Sequence, residues 1–150
     1  MSKQEFTFDY AHYAPLDALP ESDRELAARA ADACGTAYAP YSGFRVGAAA
    51  LLEDGTILTA SNQESEVFPS GMCAERSLLY YLQANFSGVR IVALATASGE
   101  RECYPCGACR QVLADTEKRQ GSPIRVVMCS GHSATVVQEA RQLLPFTFEL

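Results

Sequence analysis

Val89-Arg90-Ile91-Val92-Ala93-Leu94-Ala95-Thr96-Ala97 decides the fold. Its apolar residues follow one another without alternation, as in a strand buried on both faces of a sheet. A helix reads from about Cys106 to Lys118, and Ile124 to Cys129 is a second buried strand of the same kind. Strand, helix, strand in that order predicts a right-handed parallel crossover. Upstream, Ser22-Asp23-Arg24-Glu25 reads as a capping box opening a helix. Leu26, Ala30, Ala33, Cys34 and Ala37 fall on one face of that helix, and Pro40 stops it. Arg45 to Leu52 and Thr56 to Ala60 read as strands joined by a tight turn at Asp54-Gly55. A helix is expected from about Met72 to Ala84. Ser130-Gly131 turns the chain into a short strand, Ala134 to Val137, and Gln138 to Leu143 predicts a last helical turn or two. Five strands and the helices between them predict an α/β fold: three layers, α/β/α, around a five-stranded mixed sheet. Residues 1–150 read as a single domain. Residues 1–20 carry Tyr10, Tyr13, Pro15 and Pro20 without periodicity and read as an N-terminal arm packed on the surface.

Charge and composition narrow the function. The chain has 150 residues, a net charge of −6 and only 12 Lys and Arg, which form no cluster. Phosphate backbones are held chiefly by such residues, so no nucleic-acid partner is expected, and a small neutral substrate suits the balance. No apolar run approaches the roughly 20 residues that span a bilayer, so no membrane partner is expected either. Met1 to Glu5 lacks a basic patch followed by an apolar core, and the expected location is cytoplasmic. Six cysteines in that setting point to metal or thiol chemistry before disulfides. Cys34 and Cys129 read as small buried hydrophobes.

The chemistry lies in Cys73-Ala74-Glu75 and Pro105-Cys106-Gly107-Ala108-Cys109. Cys106 and Cys109 share one face of a helix start, where orphan N–H groups and the macrodipole favour thiolates. Cys73 begins the preceding helix and gains the same help. Three thiolates leave one corner of a zinc tetrahedron for water, which is how catalytic sites differ from structural ones. Glu75, about 200° round a regular helix from Cys73, is turned away from the metal and is free to move protons. Arg76 is expected to hydrogen-bond a thiolate and withdraw charge from a site whose net charge is negative. Cys103 is the rival: as a fourth thiolate it would close the site and make it structural. His12 and His132 read as solvated, and no G-x-S-x-G supports a serine hydrolase.

From about Ala37 to Phe148 the chain resembles the cytidine deaminase family, in its small homotetrameric form with an all-cysteine zinc site. The likeness is carried by Ala39-Pro40-Tyr41-Ser42-Gly43-Phe44-Arg45-Val46-Gly47-Ala48-Ala49 and by Asn62-Gln63-Glu64. It continues through Pro69 to Arg76, Pro105 to Gln111, and Leu143 to Phe148. The resemblance implies one Zn²⁺ per subunit on Cys73, Cys106 and Cys109, with Glu75 as the proton carrier. It implies that Asn62 and Glu64 bind the ribose 3′-hydroxyl, that Phe44 packs on the pyrimidine, and that Ala74 offers its backbone amide to the base. Phe148 would enter a neighbouring subunit's site, so the implied partner is a second copy of the chain, in a homotetramer with sites at subunit interfaces. The implied reaction is hydrolysis of cytidine and deoxycytidine to the uracil nucleosides. Ser65-Glu66-Val67-Phe68 departs from the family's usual Asn-Ala-x-Tyr, which bears on the 5′ side of the nucleoside. The rival readings are a deaminase of another aminopyrimidine nucleoside, such as a nucleoside antibiotic, a noncatalytic zinc module, and a binding protein without turnover.

Overall fold

The computed structural model describes residues 1–99 and 101–150. Its strands are β1 (Ala11–Tyr13), β2 (Gly47–Leu52), β3 (Ile57–Ser61), β4 (Ile91–Ala97), β5 (Arg125–Cys129) and β6 (Ala134–Val137). Its α-helices are α1 (Glu21–Ala33), α2 (Ala74–Asn85) and α3 (Gly107–Gln120). The sheet runs β1-β6-β5-β4-β2-β3. β4 and β5 are parallel, joined through α3, while the other neighbours are antiparallel.

The alternation inside β4 shows why its sequence reads as a continuous apolar run. Ala93, Ala95 and Ala97 face α1, together with Ala49, Val127 and Val136. Leu94 faces the other way, into a cluster with Leu78, Leu82, Leu113, Val126 and Met128 that holds α2 and α3 against the sheet. The α1 face is built of small side chains, so the helix lies close. At Gly47 a Cβ would stand 1.9 Å from the Ala30 carbonyl oxygen and 2.8 Å from the Cys34 nitrogen, so only glycine fits under the end of α1.

Four expectations need correction. The sheet has six strands, not five, because the arm supplies β1, with Ala11, His12 and Tyr13 opposite Val136, Thr135 and Ala134. Three residues are too few to show a strand's alternation in sequence. No capping box opens α1: the helix starts at Glu21 behind Pro20, and no side chain caps it. Asp23 instead accepts two hydrogen bonds from Arg125 on β5, the shorter at 2.6 Å, and this largely buried pair pins α1 to the sheet. The last helical segment is a 3₁₀ turn, Ala140–Leu143. Cys34 is half-buried, its thiol donating to the Ala97 carbonyl at 3.3 Å, whereas Cys129 is buried as expected.

Candidate active site

Two helix N-termini build the site. Cys73 is the N-cap of α2 and Cys106 the N-cap of α3, both in extended backbone just outside the helix. The helical angle expected between Cys73 and Glu75 therefore does not apply, since only Glu75 belongs to the helix. Cys109 lies in the first turn of α3 and is fully buried. The three sulfurs lie within 4.8 Å of one another. Cys73 and Cys106 are 3.8 Å apart, Cys106 and Cys109 3.5 Å. Tetrahedral zinc with bonds of about 2.3 Å sets its sulfurs about 3.8 Å apart, so the donor set has the right chemistry and size.

Electrostatics favour the same ion. A hydrogen bond from Cys109, aided by the Arg76 guanidinium, holds the Cys73 thiol well below the usual thiol range, against the push of burial. Arg76 Nη2 is 3.6 Å from Cys73 Sγ, and its buried Nε finds no hydrogen-bond partner. A charged donor left over beside thiolates fits an anionic metal centre. Glu75 is 3% exposed. Burial is the largest influence on its carboxyl and raises its pKa, as suits a group that must both take and give a proton. Cys103 does not join the sulfur cluster; it is buried in the core, where burial pushes its thiol up to about 12. The closed four-thiolate reading has no geometric support.

An open cleft of about 530 Å³ reaches Cys73 and Arg76 and is lined also by Tyr41, Asn62, Glu64 and Phe68. Asn62 accepts from the Val46 N–H and donates to the Phe44 carbonyl. Glu64 accepts from the Tyr41 and Ser42 N–H groups and the Ser42 hydroxyl, which hold its carboxyl below the usual range. Both side chains thus brace the loop that carries Phe44, while each keeps spare hydrogen-bonding capacity. Ala74 is buried at the first position of α2.

Of the predicted residues, Cys73, Arg76, Asn62 and Glu64 line this cleft; Ala74, Glu75, Cys106 and Cys109 do not, and Phe44 and Phe148 lie elsewhere. Phe44 lines a separate hollow of about 650 Å³, with the Arg101 guanidinium 5.0 Å from its ring centre. Phe148 lies along α3, its carbonyl accepting from Gln111, with its side chain largely exposed. Among the departing residues, Ser65 and Phe68 line the cleft and Glu66 does not. Sequence reasoning missed Tyr41, Ser42 and Arg110. Arg110 Nε donates to the Pro105 carbonyl at 2.8 Å, five residues back, and Nη1 to the Leu143 carbonyl at 3.0 Å, which ties the second cysteine segment to the last 3₁₀ turn through a distant contact that no local pattern marks.

Three clustered thiols, a buried carboxylic acid beside them and two helix starts on one side of a mixed sheet define a zinc hydrolase of the deaminase class. A family model described as "Cytidine and deoxycytidylate deaminase zinc-binding region" matches residues 20–121. A curated cytidine deaminase of Mycobacterium tuberculosis is 40% identical over 99 residues, 65% of this chain and 74% of that protein. One from Sporosarcina psychrophila is 49% identical over 81 residues, 53% of this chain and 58% of that one. The crystal structure of cytidine deaminase from Burkholderia pseudomallei superposes with a TM-score of 0.72 at 32% identity, covering 87% of this chain and all of that one. The chain belongs to the cytidine deaminase family, and its three cysteines fit one Zn²⁺ per subunit. Among the described residues no helix is long and apolar enough to cross a membrane.

Proposed function

We propose that the protein hydrolyses cytidine and deoxycytidine to uridine and deoxyuridine, releasing ammonia. The observation that carries the reading is Glu75, buried beside a cluster of three thiols that no fourth described residue completes. Zinc held by Cys73, Cys106 and Cys109 would supply a water made nucleophilic near neutral pH. Glu75 would carry one proton from the attacking water to ring N3, and then the proton of the new C4 hydroxyl to the departing amine. Water adds at C4, the C4–N bond breaks, and ammonia leaves. Arg76 drains charge from the thiolates, which keeps the centre electrophilic. Asn62 and Glu64 offer a donor and an acceptor to the sugar 3′-hydroxyl, and the Ala74 amide holds the base. Phe44 would turn from its hollow beside Arg101 to pack on the pyrimidine, and Phe148 would complete the site from a neighbouring copy in a cytoplasmic homotetramer.

Loss of cytidine absorbance on incubation with the purified, zinc-loaded protein tests this. Turnover should stop with a zinc chelator and return with added Zn²⁺. Absence of ammonia release from either nucleoside would overturn the reading. The exposed Phe68 ring in the cleft, edge-on to Tyr41 at 5.8 Å, favours a second reading, an aminopyrimidine nucleoside altered at its 5′ side. Cytidine turning over more slowly than a 5′-substituted analogue would select it.

A further inference from the structure

Outside the cleft, one polar cluster is unexplained by the reaction. Glu102 sits four residues before Cys106 on the loop that leads into the Cys106 and Cys109 pair, and its side chain is only 9% exposed. It accepts from the Ser133 hydroxyl at 2.6 Å, from the Thr135 hydroxyl at 2.6 Å and from the Tyr104 hydroxyl at 2.8 Å. Two of these donors lie on β6 or the turn before it. Thr135 spends its only proton on Glu102, so its 3.3 Å contact with His12 Nδ1 makes the ring nitrogen the donor. The same nitrogen lies 3.4 Å from Glu102 Oε1. Glu102 therefore joins three segments: the loop before the zinc cysteines, the β6 hairpin, and the β1 strand of the N-terminal arm, which lies outside the matched residues 20–121.

The rest of this loop is held by its backbone. The Cys103 N–H donates to the Cys129 carbonyl, the Cys103 carbonyl accepts from Thr96, and the Pro105 carbonyl accepts from Arg110. Those bonds fix the loop against β4, β5 and α3. Among the described residues of the loop, Glu102 supplies the side-chain tie across to the β6 and β1 edge. A short path through Pro105 leads from it to Cys106, which is an exposed residue.

We propose that Glu102 is a positioning residue for the metal centre: it fixes the loop that presents Cys106 and so governs how firmly zinc is held. The proposal rests on the three-cysteine zinc reading and not on the substrate. Groups that orient metal ligands typically change metal affinity 10–100-fold when removed. Glu102→Ala should release zinc about tenfold faster to a chromogenic chelator, at the lower end of that range because it acts through the backbone. Glu102→Gln, which still accepts a hydroxyl while its neighbours turn round, should sit close to the unsubstituted protein. Thr135→Val, which keeps the shape and removes one donor, should fall between and serves if Glu102→Ala folds poorly. Thermal midpoints are measured alongside. Variants that melt earlier yet release zinc at the unsubstituted rate would make Glu102 merely structural and overturn the proposal. Zinc release is read without nucleoside, so a failed deamination assay would leave this result standing, and the reverse.

Discussion

Glu75 carries the sharpest prediction at the level of one residue. Its carboxyl is buried and its pKa raised, yet it is not one of the three sulfur ligands. Glu75→Ala should keep zinc, measured by elemental analysis, while turnover falls by at least about 10²–10⁴-fold, the usual worth of a positioned acid–base group. Zinc retained with near-normal turnover would remove Glu75 from the proton path. The clustering of the three cysteines was legible because their spacing sets one ligand at the start of α2 and a pair at the start of α3. Glu102 was not legible. Its partners Ser133 and Thr135 lie some thirty residues on, and nothing local marks a glutamate in a loop as buried. Asn62 and Glu64 were legible as a polar pair, but their bracing of the Phe44 loop depends on backbone donors whose direction no sequence pattern encodes.

Between elements, the buried carboxylate of Glu117 does comparable work at the far end of α3. It is 6% exposed and accepts from the Ile124 N–H at 2.6 Å, the Ala140 N–H at 2.7 Å and the Arg141 N–H at 2.8 Å. One side chain thereby joins the end of α3 to the start of β5 and to the last 3₁₀ turn. Glu117→Ala strands three backbone donors in or near the core, each costing about 1–3 kcal/mol, so a loss of roughly 3 kcal/mol or more is expected. Urea unfolding of the two proteins measures it, and a change below about 0.5 kcal/mol would mean that water replaces the carboxylate. β4 and β5 were readable as unbroken apolar runs, and α3 as the helix that must cross between them. The sixth strand was hidden for the opposite reason. β1 is three residues long and is recognised only by the β6 edge it pairs with.

At the scale of the whole molecule, the surface is unusual for a chain that acts alone. Phe146, Phe148 and Leu150 at the C-terminus are largely exposed, as are Phe6 and Tyr10 on the arm and Val67 and Phe68 beside the cleft. Exposed apolar clusters of this kind mark interaction sites. In the proposed assembly Phe148 serves a neighbour's site, and that arrangement has a consequence that a self-contained site lacks. Chains carrying Glu75→Ala have a dead site but an intact Phe148 to lend. Chains carrying Phe148→Ala have an intact Glu75 but nothing to lend. Each alone should be impaired. Dissociated and reassembled together in equal amounts, they should place a lent Phe148 beside a working Glu75 in up to about a quarter of the sites. Sedimentation velocity run beside the assay should show both variants at the mass of the unsubstituted assembly, a multiple of the 16.2 kDa chain. Activity no greater than the sum of the separate variants, in assemblies shown to have exchanged subunits, would place Phe148 in its own chain's site or in none. Recovered activity would establish that the reacting centre is composed of two chains, and would give the exposed tail its function.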